Sequence, residues 1–209
     1  MKAEFEKYEI VRLTQDQEYL LRLVYPRGVK TASPFVHKRV HNGFYIPNTN
    51  AITLYECAGP NCSLCKMSAA FQKEHGSDKY KVKKRYYYLL FAKTGLFKIL
   101  ELDWFAQRAL LGVESNAKSV LANSMSEGLD IFCPEKGRAA IFSRKSQNNR
   151  ETKYEFIGVS VESALSDDEL KKLKTVSPDL ESAVYRPTIK ESEEIARWTW
   201  QKITERKVA

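Results

Sequence analysis

Four candidate metal ligands crowd into one short window, His41 and then Cys57-x4-Cys62-x2-Cys65. Three sulfurs and an imidazole are the donors that tetrahedral Zn²⁺ takes, and Gly59, Pro60, Asn61 and Ser63 let the backbone turn around an ion. Any fold open to this chain must bring the two ends of the fifteen-residue excursion 42–56 back to one point. Such a four-ligand site is closed, with no position left for substrate, so it predicts a folding element on a binding protein rather than a reaction centre. His37, four residues before His41, competes for the fourth ligand place, and His41 is preferred. Two disulfides or a C-x-x-C redox pair are the weaker readings, because no secretory signal precedes the cysteines and no βαβ pattern surrounds Cys62 and Cys65. Cys133 stands apart and reads as a buried thiol.

With 209 residues, 43% hydrophobic and 29% charged, the chain has the composition of one soluble globular domain. No apolar run approaches the roughly 20 residues of a membrane span, and the opening MKAEFEKYEIVRL lacks the apolar region of a secretory signal, so an intracellular protein is expected. Net charge is +8 and unevenly placed: residues 1–161 hold 25 basic and 16 acidic side chains, whereas 162–194 hold 5 and 9. The basic surplus favours an anionic partner, and charge alone does not choose between nucleic acid and an acidic membrane surface.

Short runs rich in Tyr, Phe, Leu, Ile and Val, at 5–13, 18–25, 52–57, 85–92 and 96–102, read as strands punctuated by PRG, PNTN, GPN and KTG. LDIFC, RAAIFSRK and KYEFIGVSV continue the pattern to residue 161. Asp103 is placed to cap a helix through WFAQRALL that stops at Gly112, and ESNAKSVLANSMSE is a second helical stretch. Beyond residue 161 the signals turn helical: Ser166-x-x-Glu169 and Thr188-x-x-Glu191 are capping boxes, and Ser177-Pro178 places proline at a helix start. Ile195, Trp198 and Ile203 form an apolar stripe on the last helix, expected to pack on the β core.

Two stretches join cations to aromatic rings, the combination an unpaired strand requires, since its phosphates and its exposed base faces must both be met. In KVKKRYYYLLF, Lys83, Lys84 and Arg85 run into Tyr86, Tyr87 and Tyr88. Strand alternation buries either Tyr86 with Tyr88 or Tyr87 alone, so the trio is not three stacking sites. In RAAIFSRKSQNNRETKYEF, Arg144, Lys145, Arg150 and Tyr154 lie on a polar hairpin able to follow a phosphate backbone. Arg22, Arg27 and Lys30 extend the basic set. There is no phosphate-binding Gly-rich loop ending in Lys-Ser/Thr, no G-x-S-x-G and no H-E-x-x-H, and Asp167-Asp168 reads as helix capping, so a non-enzymatic protein is expected.

With these residues in place, the chain resembles the zinc-containing single-stranded-DNA-binding (helix-destabilising) proteins of tailed phages, of the T-even replication type. YLLRLVYP, the His…Cys…C-x2-C knuckle, KKRYYYLLF, GLFKILELDWF, LDIFCPEKG and the basic hairpin follow in the family's order, and the knuckle is the most specific of them. The resemblance implies a mainly β protein with C-terminal helices: one OB-fold domain over 1–209, with a zinc subdomain at about 34–80 and a helical region at about 162–209. It implies one structural Zn²⁺ on His41, Cys57, Cys62 and Cys65, and Tyr86 and Tyr87 as the aromatic pair of a basic cleft. It also implies single-stranded DNA as partner in replication, recombination and repair in the host cytoplasm, with further copies of the chain and phage replication proteins beside it, and no membrane. The mixed charges at the start and the ending WQKITERKVA differ from the family's basic arm and acidic tail. The other readings are a zinc-ribbon adaptor for a protein partner and an RNA-binding module.

Overall fold

The computed structural model describes residues 9–29, 33–111, 130–147, 151–160 and 164–208. Its described part is mainly β sheet with C-terminal helices. The strands are β1 (Ile10–Arg12), β2 (Gln17–Val24), β3 (Phe35–Tyr45), β4 (Ile52–Glu56), β5 (Lys83–Phe91), β6 (Phe97–Leu102), β7 (Ala140–Gln147) and β8 (Glu151–Val159). The helices are α1 (Ser63–His75), α2 (Trp104–Leu111), α3 (Asp167–Val176) and α4 (Ile189–Val208).

One eight-stranded sheet runs β1-β6-β5-β2-β7-β8, with the β3–β4 hairpin branching from β5. The branch arises because β5 is shared along its length. Its first half pairs with β3, from Val40 opposite Lys83 to Phe35 opposite Tyr88, and its second half pairs with β2, from Val24 opposite Leu89 to Arg22 opposite Phe91. β2 in turn hands its own first half to β7, from Gln17 to Leu21.

Three apolar cores follow from this layout. The main core joins Leu21, Leu23, Tyr88, Leu90, Leu100, Leu102 and Phe142 to one face of α2, through Ala106, Ala109 and Leu110. The opposite face of β5 and β6, carrying Tyr87, Leu89 and Ile99, is covered by Leu165, Leu173, Leu180 and Val184 of the C-terminal region. β5 is therefore buried on both faces over Tyr87–Leu90, which explains its unbroken run of large side chains. The third core gathers Phe44, Tyr55, Leu64, Met67, Phe71 and Tyr80 around the cysteines, with Ile195 and Ala196 of α4 closing it.

Both predicted capping boxes form: Ser166 Oγ accepts from the Glu169 N–H at 3.4 Å, and Thr188 Oγ1 from the Glu191 N–H at 3.2 Å. Asp103 caps α2 by accepting from the Ala106 N–H at 2.8 Å. Other expectations are corrected. Ser177-Pro178 follows α3 and leads into a 3-10 turn at Leu180–Ser182, where Asp179 supplies the cap, rather than opening an α-helix. LDIFC is not a strand: Ile131 and Phe132 are buried in a turn whose carbonyls serve the Arg22 side chain. The stripe on α4 packs chiefly on the third core, not the main one. The stretch ESNAKSVLANSMSE and Gly112 lie outside the described residues. No helix among the described residues is long and apolar enough to cross a membrane.

Candidate metal centre and nucleic-acid interface

The metal-ligand set comes from three elements. His41 sits within β3, paired with Tyr55 of β4; Cys57 follows β4; Cys62 is the N-cap of α1 and Cys65 lies in its first turn. The backbone closes this arrangement, since the Cys57 N–H donates to the Arg39 carbonyl at 2.7 Å and the Cys65 N–H to the Cys62 carbonyl at 3.1 Å. One donor atom from each of the four residues lies within 4.8 Å of all the others. His37 is not among them: it is exposed further back on β3, beside Tyr86.

The spacing suits an ion. A tetrahedral metal with bonds of about 2.3 Å to sulfur and about 2.0–2.1 Å to nitrogen sets its ligands about 3.8 Å apart between sulfurs and about 3.6 Å between nitrogen and sulfur. Here Cys57 and Cys65 sulfurs are 3.6 Å apart, and His41 Nε2 stands 3.6 Å from Cys62 and 3.3 Å from Cys65. These sulfurs are too far apart for a disulfide, whose bond is about 2.05 Å. His41 is fully buried, and its Nδ1 lies 3.3 Å from the Tyr80 carbonyl. A carbonyl only accepts, so Nδ1 donates to it and Nε2 faces the sulfurs, the usual orientation of a ligating histidine. Burial raises the Cys62 thiol, but His41 and the N–H groups of Cys65 and Ala58 outweigh it and bring the group down to about 6. Cys65 moves the other way, pushed up to about 12 by burial and by the neighbouring Cys57 and Cys62 sulfurs. The four residues thus fit a single closed metal site.

The tyrosine trio divides. Tyr87 and Tyr88 are wholly buried, on opposite faces of β5. The Tyr87 hydroxyl donates to Glu101 at 3.3 Å and that of Tyr88 to Gln107 at 2.5 Å. Burial pushes both phenols well above the usual tyrosine range. Neither offers a ring face to a ligand, which corrects the expectation for both. Tyr86 is half-buried, packed edge-on to Phe35 with ring centres 5.7 Å apart.

Arg22 is likewise corrected. Its side chain is 5% exposed and donates to the carbonyls of Leu23, Ile131, Cys133 and Pro134 at 2.6 to 3.1 Å. It ties β2 to the turn before β7, and burial draws its pKa down to about 10. The basic hairpin is β7–β8, where Arg144 lies opposite Tyr154 and Lys145 opposite Lys153. Arg144 is paired with Asp16 at 2.5 Å, Lys145 and Lys153 are exposed, and Tyr154 is half-buried with its hydroxyl 3.5 Å from Asp103. Arg150 lies outside the described residues.

Register then reveals residues that sequence inspection left out. In an antiparallel pair, residues directly opposite share a face. On one face of the β3–β5 ladder His37 lies opposite Tyr86 and Arg39 opposite Lys84, and all but the half-buried Tyr86 are exposed. On the other face Lys38 and Arg85 are occupied: Lys38 meets Glu56 at 2.6 Å, and Arg85 meets Glu101 at 3.3 Å, where Arg12 also binds. Lys83, also on that covered side, is exposed. The first face carries an aromatic rung and a cationic rung between Phe35, packed on the main core, and His41 at the metal centre. Period-two alternation in FVHKRVH was the available signal for Arg39 and His37. Trp104 and Phe105, exposed at 40% and 58%, were passed over as helix-start residues. Comparison with known protein families and with curated proteins finds no match to this chain.

Proposed function

We propose that this is a non-enzymatic protein that coats single-stranded DNA with little sequence preference, built on an OB-type barrel and stabilised by one structural Zn²⁺ in its knuckle. The observation that carries the reading is the exposed ladder face of β3 and β5. There the rings of Tyr86 and His37 adjoin the cations of Arg39 and Lys84 on rigid paired backbone. A ring stacks a base without reading it, and a neighbouring cation takes the phosphate, so the pair suits an unpaired strand better than a duplex. Lys145 and Lys153 on the β7–β8 hairpin supply further phosphate contacts. A Cys3His set favours Zn²⁺ among intracellular metals. The fold's two-faced burial of Tyr87 and Tyr88 leaves one tyrosine of the trio, Tyr86, for the strand.

A protein adaptor is less supported, because the α4 stripe it would present already packs on the knuckle. The deciding experiment titrates labelled oligo(dT) and an equal-length duplex at two salt concentrations. With about five phosphates neutralised, log K falls against log[salt] with a slope near −3.5 for the single strand. Equal affinity for duplex, or none for either, overturns the proposal. Competition with RNA of equal length separates the RNA-binding alternative, since the 2′-OH marks that strand.

A further inference from the structure

We infer that Trp104, backed by Arg108, is a second base-stacking subsite that joins the β3–β5 ladder face to the β7–β8 hairpin; the inference rests on the single-strand reading above. Trp104 is 40% exposed at the start of α2, and Phe105 beside it is 58% exposed, so two large rings share one stretch of surface. The Arg108 guanidinium lies 4.4 Å from its ring centre, and Phe105 meets the ring edge-on at 5.2 Å. The indole is thereby held by a cation and a second ring while remaining partly open to solvent.

Its place in the fold gives the occupant. Leu102 is the register partner of Tyr86, and two residues later the chain reaches Trp104. Asp103, between them, lies 3.5 Å from the hydroxyl of Tyr154, which is opposite Arg144 on the hairpin. The start of α2 therefore bridges the two stretches that carry rings and cations. The Asp103 carboxylate is turned to the Ala106 N–H and Tyr154, and the two stretches it joins carry the exposed cations Lys84 on β5 and Lys145 on β7. Flat ring, underlying guanidinium and flanking cations fit an unstacked nucleobase with its phosphates.

The test is photocrosslinking of the full chain to oligo(dT) carrying 5-iodouracil, with peptides mapped by mass spectrometry, alongside anisotropy titrations of Trp104→Ala and Trp104→Phe. We expect a crosslink at Trp104, affinity lowered about 5- to 150-fold in Trp104→Ala, as for loss of one stacked base, and most of it restored in Trp104→Phe. The partial exposure of Trp104 keeps the variants folded, which circular dichroism checks. Crosslinks confined to Tyr86, with Trp104→Ala binding like wild type, overturn the subsite and leave the single-strand reading standing. If the wild-type protein binds no oligonucleotide, the reading itself fails first.

Discussion

Tyr86 and Tyr87 are adjacent in sequence, yet the structure predicts opposite consequences for replacing them. Tyr87 is fully buried between β5 and the C-terminal cover, and its hydroxyl serves Glu101. Cutting a buried aromatic to alanine costs about 3–5 kcal/mol. For a protein of this size that lowers Tm by roughly 6–20 °C, at about 2–4 °C per kcal/mol. Tyr87→Phe keeps the ring and loses one hydrogen bond, worth about 1 kcal/mol, while Arg12 and Arg85 still neutralise Glu101. Tyr86 is half-buried at the ladder face, so Tyr86→Ala costs on the order of 1 kcal/mol of stability but about 1–3 kcal/mol of strand affinity. Urea denaturation followed by circular dichroism gives the first quantity, and anisotropy with labelled oligo(dT) at fixed salt gives the second. A Tyr87→Ala protein that keeps the wild-type midpoint but loses strand binding would refute the assignment of the two β5 faces. So would Tyr86→Ala that unfolds readily and binds normally.

Three further outcomes follow from the same structure. Cys62→Ser should abolish metal binding and lower Tm; native mass spectrometry that finds one ion still bound contradicts the ligand set. Acidification should release the ion. A bound Zn²⁺ holds Cys57, Cys62 and Cys65 as thiolates and His41 as neutral imidazole, so as pH falls from about 7 to 5 each proton that returns to a ligand competes with the ion. A chromogenic chelator added across that range reads the release, and full retention at pH 5 tells against it. Arg22→Gln should destabilise the fold by on the order of 3 kcal/mol, because buried carbonyls lose their donor, while leaving the salt dependence of strand binding unchanged; a shallower slope would return Arg22 to the interface.

The knuckle was legible in the sequence because ligand chemistry is local: three cysteines and a histidine in one window have few roles besides holding an ion. Most strands were legible for a similar reason, as turn residues bracket their apolar runs. α1 was missed although Leu64, Met67 and Phe71 mark one helical face and Gly76 ends it at φ 64°. The cysteines drew that segment into a turn reading, and His75 closes the helix with its ring against Phe71. β3 went largely unread because its polar alternation, with His37 and Arg39 outward and Val36, Lys38 and Val40 on the covered side, lacks an apolar run. Alternation buries one side of the tyrosine trio, but the burial of both Tyr87 and Tyr88, and that of Arg22, was not readable, since each depends on segments distant in sequence: Leu173 and Leu180 for the first, α2 for the second, the turn at Ile131–Pro134 for the third. Local pattern shows which residues are cationic or aromatic, and only tertiary register shows which of them face outward.

α4 has a consequence for the ion's residence time. Ile195 and Ala196 seal the cysteine-lined core, Ser192 Oγ accepts from the Ser63 N–H at 3.3 Å, and Thr199 Oγ1 accepts from the Tyr45 N–H at 3.0 Å. His41, Cys57 and Cys62 are buried and Cys65 is partly exposed, so a chelator meets Cys65 first and reaches the other donors as this clasp loosens. The exchange rate of whatever metal the cluster takes is thus governed by a distal segment that supplies no ligand, and a shortened protein ending before Ile189 would exchange its ion quickly while keeping every donor atom.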